Sequence, residues 1–186
     1  MKKKNLSIFL TVNIMAKKKN RNIIILKNID DLKNEIRYDE FSFKKYFSHL
    51  CNLIPNISKE KIEIKIIDIE NIKKAGLVYV FVIDGYIFKI GHSIIPITKR
   101  VQSYNCGKTE YRINGTNSTT NYFVLQSLLK INEIVNVYAY FPDHPKYEVF
   151  GKEYQDSFPA SKRAENEILK NLIEKYNKKP IGCSQS

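Results

Sequence analysis

Apolar residues along this chain switch between helical and extended spacing. In residues 30–36 and 39–53 they recur every three to four positions, with Phe41, Tyr46, Leu50 and Leu53 in the second stretch. That predicts two helices, the second stopped by Pro55. Residues 61–69 then alternate, Ile62, Ile64 and Ile66 against Lys61, Glu63 and Lys65, which predicts a half-buried strand. Two dense apolar runs, 78–82 and 86–90, flank Asp84-Gly85 and predict a β-hairpin. Two registers fit it. A two-residue Asp84-Gly85 turn would set Val80 opposite Lys89. A three-residue loop with Gly85 left-handed would set Tyr79 opposite Lys89. The second gathers Val78, Val80, Val82, Phe88 and Ile90 on one face, so side-chain alternation favours it.

Pro96 opens a helix reaching about residue 104, with Arg100 and Tyr104 four apart on one face. Residues 105–122 read as a polar loop, 123–131 as a helix, 134–141 as an alternating strand and 142–159 as loop-rich. Ser161 is expected to cap a last helix reaching about residue 176. On that helix, at ~100° per residue, Ile168, Leu169, Leu172, Ile173 and Tyr176 gather around Glu165. A carboxylate inside an apolar stripe calls for a nearby Lys or a metal. The succession predicts an α+β fold. A small antiparallel sheet, the hairpin plus a third strand, is flanked by helices and preceded by a helical embellishment.

Composition adds a partner class. The 186 residues carry 31 Lys+Arg against 19 Asp+Glu, a net charge of +12. Such a surface favours an anionic partner, nucleic acid first, although a bias toward Lys, Ile and Asn would produce the same count. Only Arg21, Arg37, Arg100, Arg112 and Arg163 offer the planar fork that suits phosphate or guanine. Cys51, Cys106 and Cys183 are odd in number and far apart. With His49, His92 and His144 equally scattered, they fit a reducing cytoplasm and no structural zinc. No apolar run approaches the ~20 residues of a membrane helix. Met15-Ala16 followed by Lys17, Lys18 and Lys19 resembles a second start, so residues 1–14 are expected to be an upstream extension, not an export signal. Residues 1–28 hold eight basic side chains and no acid, either a solvated tail or an arm touching phosphates.

The ordered set Gly76-Leu77-Val78-Tyr79, Lys89-Ile90-Gly91, Arg100 and Glu165 resembles the GIY-YIG nuclease superfamily. The likeness spans residues 76–180 and is strongest to the small type II restriction endonucleases of that superfamily specific for TCNGA. It extends through Ile87-Phe88-Lys89-Ile90-Gly91-His92-Ser93, Thr98-Lys99-Arg100-Val101-Gln102-Ser103-Tyr104 and Ala164-Glu165-Asn166. Two departures stand out. Two residues separate Gly76 from Tyr79, and Lys89 replaces the second motif's tyrosine. Tyr104 stands where many relatives have His.

The resemblance implies a division into a 1–16 extension, a basic and helical 17–75 region, a catalytic core at 76–180 and a 181–186 tail. It implies Mg²⁺-dependent hydrolysis of double-stranded DNA, with one Mg²⁺ per site held by Glu165 and waters and replaceable by Mn²⁺. Tyr79 would take a proton from the attacking water. Lys89 would favour the phenolate or accept the proton onward. Arg100 would clamp the scissile phosphate, and Tyr104 would bond to it. Asn177 is a further candidate for the family's terminal Asn. DNA contacts are expected from His92, Gln102, Ser103 and the 105–122 loop, through Arg112, Asn117, Ser118, Thr119 and Thr120. A near-palindromic target implies a homodimer, and a restriction enzyme implies a cognate methyltransferase protecting host DNA. Three rivals remain at this stage: a PD-(D/E)xK nuclease using Asp39, Glu63 and Lys65, a non-catalytic basic nucleic-acid binder, and a homing, repair or nicking GIY-YIG enzyme.

Overall fold

The computed structural model describes residues 25–113, 118–155 and 159–183. Residues 1–24 lie outside this range, and with them the expected extension and most of the basic arm.

The centre is one five-stranded antiparallel sheet, ordered β2-β1-β5-β3-β4. The strands are β1 (Ser48–Asn56), β2 (Lys61–Ile66), β3 (Leu77–Ile83), β4 (Tyr86–Ser93) and β5 (Val135–Tyr140). Four helices follow: α1 (Ile97–Tyr104), α2 (Thr109–Ile113), α3 (Thr119–Ile131) and α4 (Ala160–Tyr176). A separate hairpin, β6 (Lys146–Val149) with β7 (Lys152–Gln155), stands between β5 and α4.

Side-chain alternation divides the core between the two sheet faces. Leu77, Tyr79, Phe81 and Ile83 pack with Ile97, Val101 and Tyr104 of α1 and the apolar side of α3. Val78, Val80 and Val82 pack with Ile168 and Leu172 of α4 and with Ile36, Tyr38 and Phe41. Covered on both faces and paired on both edges, all seven residues of β3 are buried.

The expected hairpin forms in neither anticipated register. Ile83 faces Tyr86 across a two-residue Asp84-Gly85 turn, both turn residues having positive φ. The ladder then shifts, so that Val82 faces Ile87 but Phe81 faces Lys89. Phe88 is the extra residue of a β-bulge. The bulge turns Phe88 toward the Tyr79 face, where it stacks on Phe123 at 5.9 Å, and Ile87 toward the valines. Alternation without a bulge assigns Phe88 and Ile87 the other way round. Tyr79 consequently faces Gly91, and Lys89 lies two pairs away, opposite Phe81.

The region before the hairpin also differs. The helix expected over 39–53 is absent. Short 3-10 turns at Tyr38–Glu40 and Lys44–Tyr46 lead into β1, and the turn at Ile29–Leu32 replaces the first expected helix. Leu50, Cys51 and Leu53 are buried between β2 and β5, so tertiary pairing overrides the helical spacing. Pro55 is accommodated because β5 pairing ends at Leu53↔Val135, and there β1 has a neighbour only in β2. The embellishment is therefore two strands of the main sheet. Helix α2 and the start of α3 occupy part of the expected 105–122 loop, and the β6–β7 hairpin part of 142–159. Pro159, not Ser161, sits at the cap position of α4. Ser161 lies inside its first turn, wholly buried. Ile173 of the expected stripe is 41% exposed. No described helix is long and apolar enough to cross a membrane.

Candidate active site

Tyr79 leaves β3 across a strand position that has no side chain. A Cβ on Gly91 would overlap the Tyr79 hydroxyl and ring carbon Cζ, so glycine is what lets the phenol lie there. Helix α1 packs its Val101–Tyr104 side against the same face and brings two more groups. The Tyr79 and Tyr104 hydroxyls are 2.6 Å apart in a buried hydrogen bond. Arg100 Nε donates to Tyr79 Oη at 3.4 Å, and its guanidinium carbon lies 4.7 Å over the Tyr104 ring.

The electrostatics follow from this packing. Burial, and secondarily the neighbouring Tyr79 phenol, raise Tyr104 well above the ordinary phenol range despite Arg100 beside it, so Tyr104 keeps its proton. For Arg100 burial opposes the charge, but the Tyr79 and Tyr104 oxygens outweigh it and the guanidinium stays protonated.

Lys89, only 6% exposed, enters from β4 and donates Nζ–H to the Gly182 carbonyl at 2.7 Å. From the opposite wall, α4 supplies Glu165, 9% exposed, whose Oε2 pairs with Lys162 Nζ at 2.6 Å. A cleft of about 380 Å³ is lined by Tyr79, Lys89, His92, Arg100, Lys162 and Glu165, with Gly91, Ser93, Ile94 and Ile95 completing it. Burial holds His92 below the ordinary imidazole range; Glu165 pulls the other way, and Lys162 and Arg100 add to the depression. Its Nδ1 is buried and finds no partner among the described residues.

Four of the five expected catalytic side chains thus line one cleft, with Tyr104 hydrogen-bonded directly behind. Of the expected DNA-contacting residues that are described, only His92 joins them. Ser103 is spent on α1, donating to the Arg100 carbonyl at 2.8 Å and lying 3.4 Å from its Nη1. Gln102 is exposed on α1 away from the cleft. Arg112 rests over the Tyr122 ring at 5.6 Å. Ser118 caps α3 by accepting from the Asn121 amide, and Thr119 and Thr120 form its first turn. Asn117 lies outside the described residues. Asn177 ends α4 in the left-handed conformation, donating its amide to the Ile173 carbonyl, and does not reach the cleft. Lys162 was visible in the sequence as the residue three before Glu165, a spacing that aligns two side chains on a helix. Gly182 left no such signal. The rival carboxylates are engaged elsewhere, Glu63 of β2 with Lys61 and with Asn56 of β1, and Asp39 with Arg37.

Among the described residues no group of three or more His, Cys, Asp or Glu side chains could hold a metal. A lone carboxylate in a polar cleft suits a hard cation that keeps most of its waters, as Mg²⁺ does.

No family model and no curated protein matches the chain. Among solved structures, "Restriction endonuclease HPY188I in complex with product DNA" matches with 69% identity and a TM-score of 0.71, covering 90% of this chain and 97% of that one. A mutant of bacteriophage T4 EndoII, 17% identical, matches at a TM-score of 0.52 over 70% of this chain and 91% of its own, which is likeness of fold alone. At 69% identity over nearly the whole of the first relative, this chain belongs to the restriction endonucleases, site-specific deoxyribonucleases.

Proposed function

We propose that the protein is a type II restriction endonuclease of the GIY-YIG superfamily that cuts double-stranded DNA at TCNGA as a homodimer, using Mg²⁺. The observation carrying this reading is the meeting of Tyr79, Lys89, Arg100 and Glu165 in one cleft, from β3, β4, α1 and α4.

The chemistry runs through the Tyr79 oxygen. It accepts the Arg100 Nε–H, and Tyr104, which holds its own proton, serves as a second donor. Both contacts would support the phenolate that the role requires: with its own proton passed on beforehand, the Tyr79 oxygen would take one from a water in the cleft. The Lys89 ammonium adds positive charge to the same space. Arg100, its charge secured, offers the rest of its fork to the scissile phosphate. Mg²⁺ held by Glu165 and waters would stabilise charge on the departing oxygen. Lys162, now on Glu165, is free to turn to phosphate when the carboxylate takes the cation. His92, Arg112 and the residues opening α3 remain candidates for DNA contact beyond the cleft. A near-palindromic site calls for two protomers, one per strand, and a methyltransferase of the same specificity protecting host DNA.

The test is a digest of phage DNA with Mg²⁺ and with EDTA. Discrete bands only with Mg²⁺, with ends mapping to TCNGA, are expected. Glu165→Gln should abolish cutting while DNA binding persists. Cutting in EDTA defeats the metal role, and ends at another sequence defeat the specificity.

A further inference from the structure

Lys89 is a buried ammonium whose acceptor is a neutral backbone carbonyl, not a carboxylate. That carbonyl, Gly182, is 93 residues away and belongs to a 3-10 turn at Ile181–Cys183. Three contacts fix the turn. Cys183 Sγ donates to the Ile90 carbonyl at 3.1 Å and accepts the Ile90 amide at 3.2 Å, engaging the outer side of β4 as a neighbouring strand would. Burial keeps that thiol above its ordinary range and therefore protonated and able to donate. On the other side, Glu35 accepts the Ile181 amide at 3.2 Å and pairs with Lys178 at 3.9 Å, and Lys178 also bonds the Asn34 carbonyl. Gly182 itself lies flat on β4. A Cβ there would stand 2.8 Å from the Phe88 carbonyl and 2.9 Å from Lys89 Cβ, so any side chain must lift the turn.

We infer that this turn is a positioning device for the active site: the Gly182 carbonyl sets where the Lys89 ammonium stands, and Cys183 and Glu35 hold the carbonyl in place. The inference rests on the proposed role of Lys89 and deepens it. In a cleft that also contains Glu165, an ammonium without its own acceptor is drawn to the carboxylate and competes with a cation for it. A neutral acceptor of its own occupies the ammonium without engaging the carboxylate and leaves the positive charge available in the cleft that Tyr79 lines. The element that completes the site thus comes from a segment with no catalytic group of its own.

The experiment measures single-turnover cleavage of phage DNA by the full chain with Mg²⁺, alongside DNA affinity and melting temperature. Gly182→Ala should slow cleavage by roughly 10- to 100-fold, with affinity and melting temperature close to the parent. Lys89→Ala combined with Gly182→Ala should be no slower than Lys89→Ala alone, because both changes remove the same placed charge. Cys183→Ala should slow cleavage about fivefold and Cys183→Ser should restore most of it, since a hydroxyl can donate and accept as the thiol does. If Gly182→Ala unfolds the protein, the Cys183 pair carries the same comparison. Parent-like cleavage by Gly182→Ala, or a double variant slowed by the product of the single effects, overturns the inference while the role of Lys89 stands. Parent-like cleavage by Lys89→Ala removes that role, and the positioning device with it.

Discussion

Two hairpins in this molecule are built on the same turn and put to opposite uses. Asp84-Gly85 joins β3 to β4 with φ of 48° and 80°, and Phe150-Gly151 joins β6 to β7 with φ of 51° and 74°. Both are two-residue turns of the kind whose twist suits an antiparallel ribbon. The first is wedged between β5 on one side, helices on both faces and the 181–183 turn, and its seven β3 residues are all buried. The second stands alone. All four residues of β6 are exposed, Phe150 is 99% exposed, and its own support is a Tyr147–Tyr154 stack and a Lys146–Glu153 ion pair. Turn chemistry makes a hairpin, and burial makes it a scaffold for the candidate site. In the first, a phenol and an ammonium are held by packing, with a guanidinium brought beside them by α1, whereas the residues of β6 are exposed.

Matched substitutions sharpen this contrast. The largest effect is expected from tyrosines. Tyr79→Phe should lower cleavage by about 100-fold or more, the usual size of a lost general base, whereas Tyr154→Phe should leave it within about twofold. Equal rates for the two would remove Tyr79 from the chemistry. Two glycines, one in β4 and one in the β6–β7 turn, come next. Gly91→Ala should cost about 100-fold in cleavage by pushing the Tyr79 ring off its place. At Gly151 a Cβ meets nothing within 4 Å, so Gly151→Ala should cost only about 1 kcal/mol of local strain and leave cleavage intact. Stability separates the phenylalanines. In chemical denaturation Phe81→Ala should lose about 3–5 kcal/mol and Phe150→Ala less than about 0.5 kcal/mol.

The smallest effect is in alkaline stability. Burial raises both Tyr38, stacked on Tyr138, and Tyr104 above the ordinary phenol range. Unfolded phenols ionise near pH ~10 while these two keep their protons. Their contribution to stability is therefore complete below that pH and is lost as pH rises through it toward the folded values. Tyr38→Phe should flatten the fall in melting temperature above pH ~10, and an unchanged slope would count against the shift.

The candidate site was legible because its signals are local. Tyr79, Lys89, Arg100 and Glu165 sit on elements that periodicity predicts, and their order in the chain carried the family resemblance. The register of the hairpin was not legible. A single bulge at Phe88 exchanges the faces of Ile87 and Phe88 and moves Lys89 from Tyr79 to Phe81, and alternation alone does not reveal an inserted residue. Residues 48–56 misled for another reason. Leu50 and Leu53 are three apart on a strand buried against β2 and β5, a spacing that mimics a helix face until the partners are known. Gly182 was invisible because its function is carried by a backbone carbonyl, which every residue has.

Under the proposed roles, the strand order has a consequence during synthesis. Tyr79 and Tyr104 are 25 residues apart, and the hairpin and α1 that carry them can pair as soon as they leave the ribosome. The strand that closes the sheet's middle, β5, comes later, then the carboxylate on α4, and last the turn that seats Lys89. At about 5–20 residues per second, several seconds separate the phenol from the carboxylate. A nascent or prematurely ended chain therefore carries its basic groups without the means to cut. For a protein that cuts DNA, activity is postponed until α4 and the 181–183 turn have been made.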